Sequence, residues 1–185
     1  MSASAQPDAA LVHTAPASGR ATCGVESCPP GLSGDRPAFR ASAEKEDSQF
    51  EYYCHTGYAL TECVAHHDRL RALLMKFNLR NLGQWRWVLV RSEDWGPILR
   101  RVGRDADSPA FTVLENRATF LEEALFVAVP GRDHTLLEKW RIPPSELLEY
   151  AVAHELGHAV CSERDERQAS AYGRELIDSS AIQCR

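Results

Sequence analysis

Residues 143–169 have the sequence PPSELLEYAVAHELGHAVCSERDERQA, which joins a helix-start signal to an apolar helix carrying two histidines. Proline followed by Ser145-Glu146 is typical of the first turn of a helix, and the apolar residues after it continue the pattern. We therefore predict a helix over residues 145–161. The polar stretch 162–165 predicts a break, and a second helix is expected over residues 165–177.

The two histidines of this segment form the pattern of a metal site. His154 and His158 are one helical turn apart, so their imidazoles project from the same face and can bind one ion. Zinc takes imidazole nitrogen at about 2.0–2.1 Å in tetrahedral geometry, so two such rings fill two of its four positions. Glu155 lies beside them, where its carboxylate can take a proton from an activated water. The alternative is a structural helix that carries two histidines and binds no metal.

A catalytic zinc normally has a third protein ligand, and the second predicted helix offers one. Glu166 lies eight residues after His158, which is enough for the chain to turn and run back beside the first helix. Ala169, one turn later, is small enough to let the two helices approach closely. Glu163 is a rival ligand from the loop, and Asp165 is the predicted helix cap. The other interpretation of Glu166 is a solvated acid that stabilises the helix start.

The rest of the sequence predicts one α+β domain over residues 46–185, preceded by a flexible leader rich in Ala, Ser, Pro and Gly over residues 1–45. Trp85 and Trp87 fall on the same face of a predicted strand and are expected to pack in the core. Apolar periodicity predicts a helix from Leu60 to Phe77, with residues 50–58 in the same or a preceding helix. It also predicts strands over residues 84–91 and 98–102 and a hairpin over residues 111–121.

Composition excludes several classes of protein. The chain has 185 residues, is 44% hydrophobic and has a net charge of −5, so it can form one core. It lacks the basic excess of a general nucleic-acid binder, and no apolar run is long enough for a membrane span. Six cysteines fit disulfides or reduced thiols. The compartment therefore stays open: exported from a bacterium if Met1 replaces a removed signal peptide, otherwise cytoplasmic.

The cysteines allow several arrangements. A second metal site could be formed by Cys54, His55, Cys63, His66 and His67, although their spacing matches no standard zinc pattern. Cys63 and His67 fall on the apolar stripe of the predicted helix, which favours burial in the core. A Cys54–Cys63 disulfide requires a break in the helix near Gly57, because the two residues would be roughly 13 Å apart in one continuous helix. Cys161 either pairs with a distant cysteine or stays free. Cys23 and Cys28 could close a small loop, and a thiolate from either of them or from Cys184 could block the open zinc position.

The pattern His154-Glu155-x-x-His158 followed by Glu166-x-x-Ala169 resembles the gluzincin metallopeptidases, among them short bacterial members and the repressor-cleaving peptidases of phages and mobile elements. The resemblance implies a zincin-like fold with an N-terminal helix, a small twisted, mostly antiparallel sheet, an active-site helix and a glutamate helix. It also implies Zn²⁺ held by His154, His158 and Glu166, with Glu155 as the base in peptide hydrolysis.

The same resemblance implies a peptide or protein substrate bound along an edge strand, for which residues 111–121 occupy the corresponding place. His134, Tyr150 and Tyr172 are candidates for stabilising the oxyanion. We expect a monomer. The alternative function is a non-catalytic zinc-binding module of the same fold, with a regulatory or interaction role.

Overall fold

The computed structural model describes residues 39–40, 49–55 and 58–185, which form an α+β fold. Most of the predicted leader, with the possible Cys23–Cys28 loop, lies outside the described residues. The helices are α1 (Leu60–Leu74), α2 (Ser92–Val102), α3 (Arg132–Trp140), α4 (Pro144–Cys161) and α5 (Glu166–Ser179). The strands are β1 (Phe39–Arg40), β2 (Phe50–Cys54), β3 (Trp85–Val90), β4 (Ala110–Val113) and β5 (Ala118–Glu122).

The sheet is mixed, with the strand order β1-β2-β3-β5-β4. The pairs β2–β3 and β3–β5 are parallel, whereas β1–β2 and β4–β5 are antiparallel. The expectation of a mostly antiparallel sheet is therefore wrong. The reason is that α1 connects β2 to β3 as a helical crossover, which makes the two strands run in the same direction. The predicted hairpin over residues 111–121 is confirmed as the β4–β5 pair.

Two segments have a different structure from the one predicted. Residues 50–54 form strand β2, because the buried residues are Phe50, Tyr52 and Cys54, with a period of two, and not a helical stripe. Residues 98–102 belong to helix α2, which begins at Ser92 and contains Pro97. The buried residues of this helix, Trp95, Ile98 and Leu99, have the spacing of a helix face.

The sheet separates two apolar layers. Trp85, Trp87 and Leu89 of β3 face the larger core, in which α1 and α4 also bury their apolar residues. Val88 and Val90 face the opposite side, where α2 covers the sheet. The placement of both tryptophans in the core is confirmed. Within the described ranges, no helix combines the length and the apolar character needed to cross a bilayer.

Two disulfides connect elements of the described chain. Cys54 at the end of β2 pairs with Cys63 in α1, and the chain does break between the two elements, as such a bond requires. Cys161 at the end of α4 pairs with Cys184, so Cys184 does not supply a thiolate to the predicted zinc site. Of the candidate second metal site, the structure brings Cys54, Cys63 and His67 together, but both sulfurs are taken up in the disulfide.

Candidate metal centre

Helix α4 is the central element of the site. Its first turn is exposed, but every residue from Ala151 to Ala159 is buried, so this part of the helix passes through the interior of the domain. Pro144 occupies its first turn, where a missing backbone N–H costs nothing. The predicted bounds are confirmed to within one residue at the start. The helix ends where Ser162 adopts a left-handed conformation with φ of 51°.

Helix α5 returns along α4 after a four-residue turn. The Asp165 side chain caps α5 by accepting hydrogen bonds from the backbone N–H groups of Arg167 and Gln168, at 3.0 and 2.9 Å. The predicted cap is therefore confirmed. Ala169 is fully buried against α4, as its small size suggested. A second close approach of the helices is at Gly173, where an added Cβ would lie 2.9–3.0 Å from the α4 backbone at Ala153 and His154.

The packing of the two helices brings His154, His158 and Glu166 together. The two Nε2 atoms are 3.2 Å apart, and Oε2 of Glu166 lies 3.1 Å from Nε2 of His154 and 3.3 Å from Nε2 of His158. Ligands placed about 2.0–2.1 Å from the centre of a tetrahedron are about 3.3 Å from each other. The three atoms therefore have the spacing of a single face of a tetrahedral site, and the residues could hold a metal ion.

Hydrogen bonds on the outer side of each ring fix the orientation of the histidines. Nδ1 of His158 lies 2.8 Å from the backbone carbonyl of Glu163, which can only accept, so Nδ1 carries a proton and Nε2 is the nitrogen whose lone pair is available in the neutral ring. Nδ1 of His154 lies 3.1 Å from the hydroxyl of Ser170. Partners of this kind are typical of metal-binding histidines. Burial also lowers the pKa of His154, which keeps this ring neutral and able to donate to a metal.

Glu163, the alternative ligand, has a different structural role. Its carboxylate accepts hydrogen bonds from the backbone N–H groups of Arg164 and Asp165, at 2.8 and 2.9 Å, and so holds the turn between α4 and α5. Only its backbone carbonyl reaches the site, through His158. Among the acids of this turn, the structure places Glu166 and not Glu163 with the histidines.

Arg104 holds the second oxygen of Glu166. Its guanidinium lies 3.0 Å from Oε1, which leaves Oε2 directed at the histidines. Although partial burial opposes ionisation, the neighbouring His158 and His154 hold the pKa of the Glu166 carboxyl below its usual value. The Glu166 side chain is therefore a carboxylate at neutral pH, which is the form that binds metals.

Glu155 is almost completely buried beside this cluster, with 4% of its surface exposed. Burial raises the pKa of its carboxyl to about 7, against the opposing effects of His158 and of a hydrogen bond with the side chain of Thr112. Among the described residues, Oε2 of Glu155 has no hydrogen-bond partner. A carboxyl with a pKa near neutrality is suited to take up and release a proton.

The cluster lies in a cleft with a volume of about 400 Å³, which is lined by Glu155 and by all three clustered residues. Strand β4 forms one wall, and it is the edge strand of the sheet on this side. Of the oxyanion candidates, Tyr150 lines the cleft. His134 instead lies on the surface, 3.2 Å from Glu138, and the Tyr172 hydroxyl contacts the backbone of Arg185.

Ser170, Arg104 and Thr112 are further residues of the site that were not predicted from the sequence. Ser170 is four residues after Glu166, and residues at this spacing share a helix face, so this signal could have been used. Arg104 and Thr112 are far from α4 and α5 in sequence, and only the tertiary fold brings them to the site.

Comparison with protein-family models, with curated proteins and with solved structures finds no match to this chain.

Proposed function

We propose that the protein is a small zinc-dependent peptidase of the gluzincin type, with a zincin-like fold. One observation carries the proposal: three ligand atoms lie 3.1–3.3 Å from one another in a cleft that also contains the buried Glu155 carboxyl. Oε2 of Glu155 has no hydrogen-bond partner among the described residues. A purely structural metal site would gain nothing from such an ionisable carboxyl beside it.

The ligand set favours zinc over other divalent ions. Two imidazole nitrogens and one carboxylate are the donors of many hydrolytic zinc sites, and they leave one position open for water or substrate. Magnesium and calcium prefer oxygen ligands, so two histidines argue against both. A zinc ion bound by His154, His158 and Glu166 would polarise a substrate carbonyl and make a water molecule more acidic.

Glu155 supplies the proton transfers. As a carboxylate, it removes a proton from the attacking water; once protonated, it delivers that proton to the departing amine. Its burial serves both steps, because a pKa of about 7 makes the two forms similar in free energy near neutral pH.

The cleft is suited to an extended peptide. Ala110, Phe111 and Thr112 of β4 line the cleft, and β4 pairs on its inner side with β5. The outer side of an edge strand carries backbone groups to which a peptide can add as a further strand. The proposed substrate is therefore an unfolded segment of a protein that lies along β4 with its scissile bond near Glu155.

Hydrolysis of an unfolded protein such as casein tests the proposal. We expect cleavage by the zinc-loaded wild type, loss of cleavage on chelation, and loss of at least a hundredfold in rate for Glu155→Gln with its zinc retained. The matched control is Glu149→Gln on the same helix, where Glu149 contacts Lys76 on the surface at 3.2 Å. Equal rates for Glu155→Gln and wild type would contradict the proposal. One zinc per chain without hydrolysis of any substrate would favour the non-catalytic module.

A further inference from the structure

A second cluster of metal-binding side chains lies where β2 meets α1. Cys54 ends β2, and Cys63 and His67 lie in the first half of α1. The two sulfur atoms and a ring nitrogen of these residues all lie within 4.8 Å of one another. None of the three residues lines the cleft, so the cluster is separate from the candidate metal centre. In this structure its two cysteines form a disulfide.

The spacing of the ligand atoms fits a metal ion. Cys63 and His67 are four residues apart, the same interval as between the two histidines of α4, so both side chains project from one face of α1. Sγ of Cys54 lies 3.4 Å from Nε2 of His67 across the contact with β2. A thiolate and an imidazole on one zinc ion, at about 2.3 and 2.0–2.1 Å from it, are about 3.5 Å apart in tetrahedral geometry. The distance between β2 and α1 is therefore that of a shared ion.

The backbone adds an oxygen atom to the cluster. The carbonyl oxygen of Tyr53 lies 3.0 Å from Nε2 of His67, close to the roughly 3.3 Å expected between nitrogen and oxygen ligands of one zinc ion. This oxygen can only accept, so with the disulfide in place it takes the hydrogen bond of the Nε2 proton. A metal ion that replaced this proton would have two sulfurs, one nitrogen and one oxygen around it, which are enough for a tetrahedral site.

His67 is buried where an apolar side chain would pack at lower cost. Only 2% of its surface is exposed, and Nδ1 has no hydrogen-bond partner among the described residues. A buried polar atom without a partner costs free energy. The hydrogen bonds of the ring therefore do not explain a histidine at this position. A metal bond to Nε2 does, because metal binding contributes far more free energy than one hydrogen bond.

The ligand set favours zinc. Thiolates are soft ligands that bind zinc well, whereas magnesium and calcium prefer oxygen. Two thiolates also balance the charge of one Zn²⁺ ion, so the complex is neutral. Neutrality matters here because all three side chains are at most 2% exposed, and an unbalanced charge in such a place is costly.

We propose that Cys54, Cys63 and His67 bind a zinc ion when the disulfide between the two cysteines is reduced. A dithiol reductant supplies two electrons and two protons, becomes a disulfide itself and leaves two thiols on the protein. The freed sulfurs separate to the roughly 3.8 Å that two thiolates on one zinc ion require, and both thiol protons are released as zinc binds. The two cysteines thus join β2 to α1 in either redox state. This site is independent of the proposed peptidase reaction.

Cobalt(II) binding tests the site. Cobalt bound by thiolates has a charge-transfer absorption band that histidine and carboxylate ligands do not produce, so cobalt at the candidate metal centre does not contribute. We expect the band after reduction with a phosphine, which adds no thiol of its own, no band in the oxidised protein, and loss of the band when zinc displaces the cobalt. Cys54→Ser and His67→Gln should each lower the cobalt affinity of the reduced protein by at least about tenfold, the loss typical of removing even an outer partner of a ligand.

Cys161→Ser is the matched control, because it removes a cysteine of the other disulfide, which the phosphine also reduces. It should keep the band and the wild-type affinity. Circular dichroism checks the fold of each variant, and His67→Gln, which keeps both cysteines, tests the site even if Cys54→Ser does not fold. A reduced wild type without the band, wild-type affinity in His67→Gln, or loss of the band in Cys161→Ser would overturn the inference.

Discussion

Gly157 of α4 packs directly against the backbone of Ala169 in α5. A Cβ built on Gly157 would lie 2.5 Å from the carbonyl oxygen of Ala169 and 3.1 Å from its Cα. Both distances are shorter than van der Waals contact distances, so a side chain fits at this position only if the helices separate. Gly157 is next to His158, and Ala169 is one turn after Glu166. The contact that excludes a side chain therefore also sets the distance between the histidines and the third ligand.

Replacement of Gly157 by alanine should separate the helices at the site. We expect Gly157→Ala to weaken zinc binding at least tenfold and to lower the free energy of unfolding by about 1–3 kcal/mol, the usual cost of overpacking. A zinc titration and a urea melt measure the two effects. The control is Arg174→Ala on the exposed side of α5, which should change neither. Wild-type zinc affinity in Gly157→Ala would show that helix spacing does not control the site.

Ser170 is expected to contribute to metal affinity without touching the metal. Its hydroxyl lies 3.1 Å from Nδ1 of His154 and fixes the orientation of that ring. Removal of such an outer partner typically weakens metal binding about tenfold or more. Ser170→Ala should therefore bind zinc more weakly in competition with a chromophoric chelator. Ser179→Ala, on the same helix, removes a hydroxyl that contacts only nearby backbone carbonyls and should keep wild-type affinity.

The Cys161–Cys184 disulfide should stabilise the two helices of the site. It joins the end of α4 to the segment after α5, across 23 residues of sequence. A loop of this length predicts that replacing both cysteines by alanine lowers the free energy of unfolding by about 3 kcal/mol. Urea unfolding measures the difference. If the variant were as stable as the wild type measured without a reducing agent, the Cys161–Cys184 pairing would be contradicted.

His67 should make the protein sensitive to mild acid. The ring is 2% exposed and lies against β2, with Nε2 3.0 Å from the carbonyl of Tyr53. Burial lowers its pKa from the ordinary value of 6.5 to about 4. Between these values the unfolded chain binds the proton and the folded protein does not, so stability falls as the pH falls. The loss is on the order of 3 kcal/mol and is complete near pH 4.

Unfolding measured from pH 7 to pH 4 checks this expectation. His67→Gln cannot take up the proton, so its stability should fall less steeply over this range than that of the wild type. His134→Gln is the control, because it also replaces a histidine but at a side chain that is 74% exposed. Parallel curves for wild type and His67→Gln would contradict the assignment.

The helices of the site could be predicted because their signals are local. The spacing of His154 and His158, the cap at Asp165 and the small Ala169 all lie within a short stretch of sequence, and a short turn leaves α5 few ways to pack. The structure accordingly brings Glu166 to the two histidines. The choice between Glu166 and Glu163 also followed from local geometry, because a helix fixes a ligand better than a loop.

The sheet could not be predicted in the same way. Strand direction depends on pairing between distant segments, and neither the parallel β2–β3 pair nor the position of β4 leaves a local signal. Residues 50–54 were misassigned because Phe50, Tyr53 and Cys54 also have a helical spacing. Residues 98–102 were predicted as a strand, although they continue helix α2 beyond Pro97. Thr112 and Arg104 depend on these same long-range contacts, which is why their roles were missed.

Metal content measured on protein purified without a metal-affinity tag is the most direct test of the proposed zinc site. We expect about one zinc per wild-type chain, and little or none in Glu166→Ala, because a zinc site needs its third ligand. Asp178→Ala, at an exposed acid on the same helix, should keep the zinc. A wild type that contains no zinc and takes up none when it is added, or a Glu166→Ala variant with wild-type zinc content, would contradict the account.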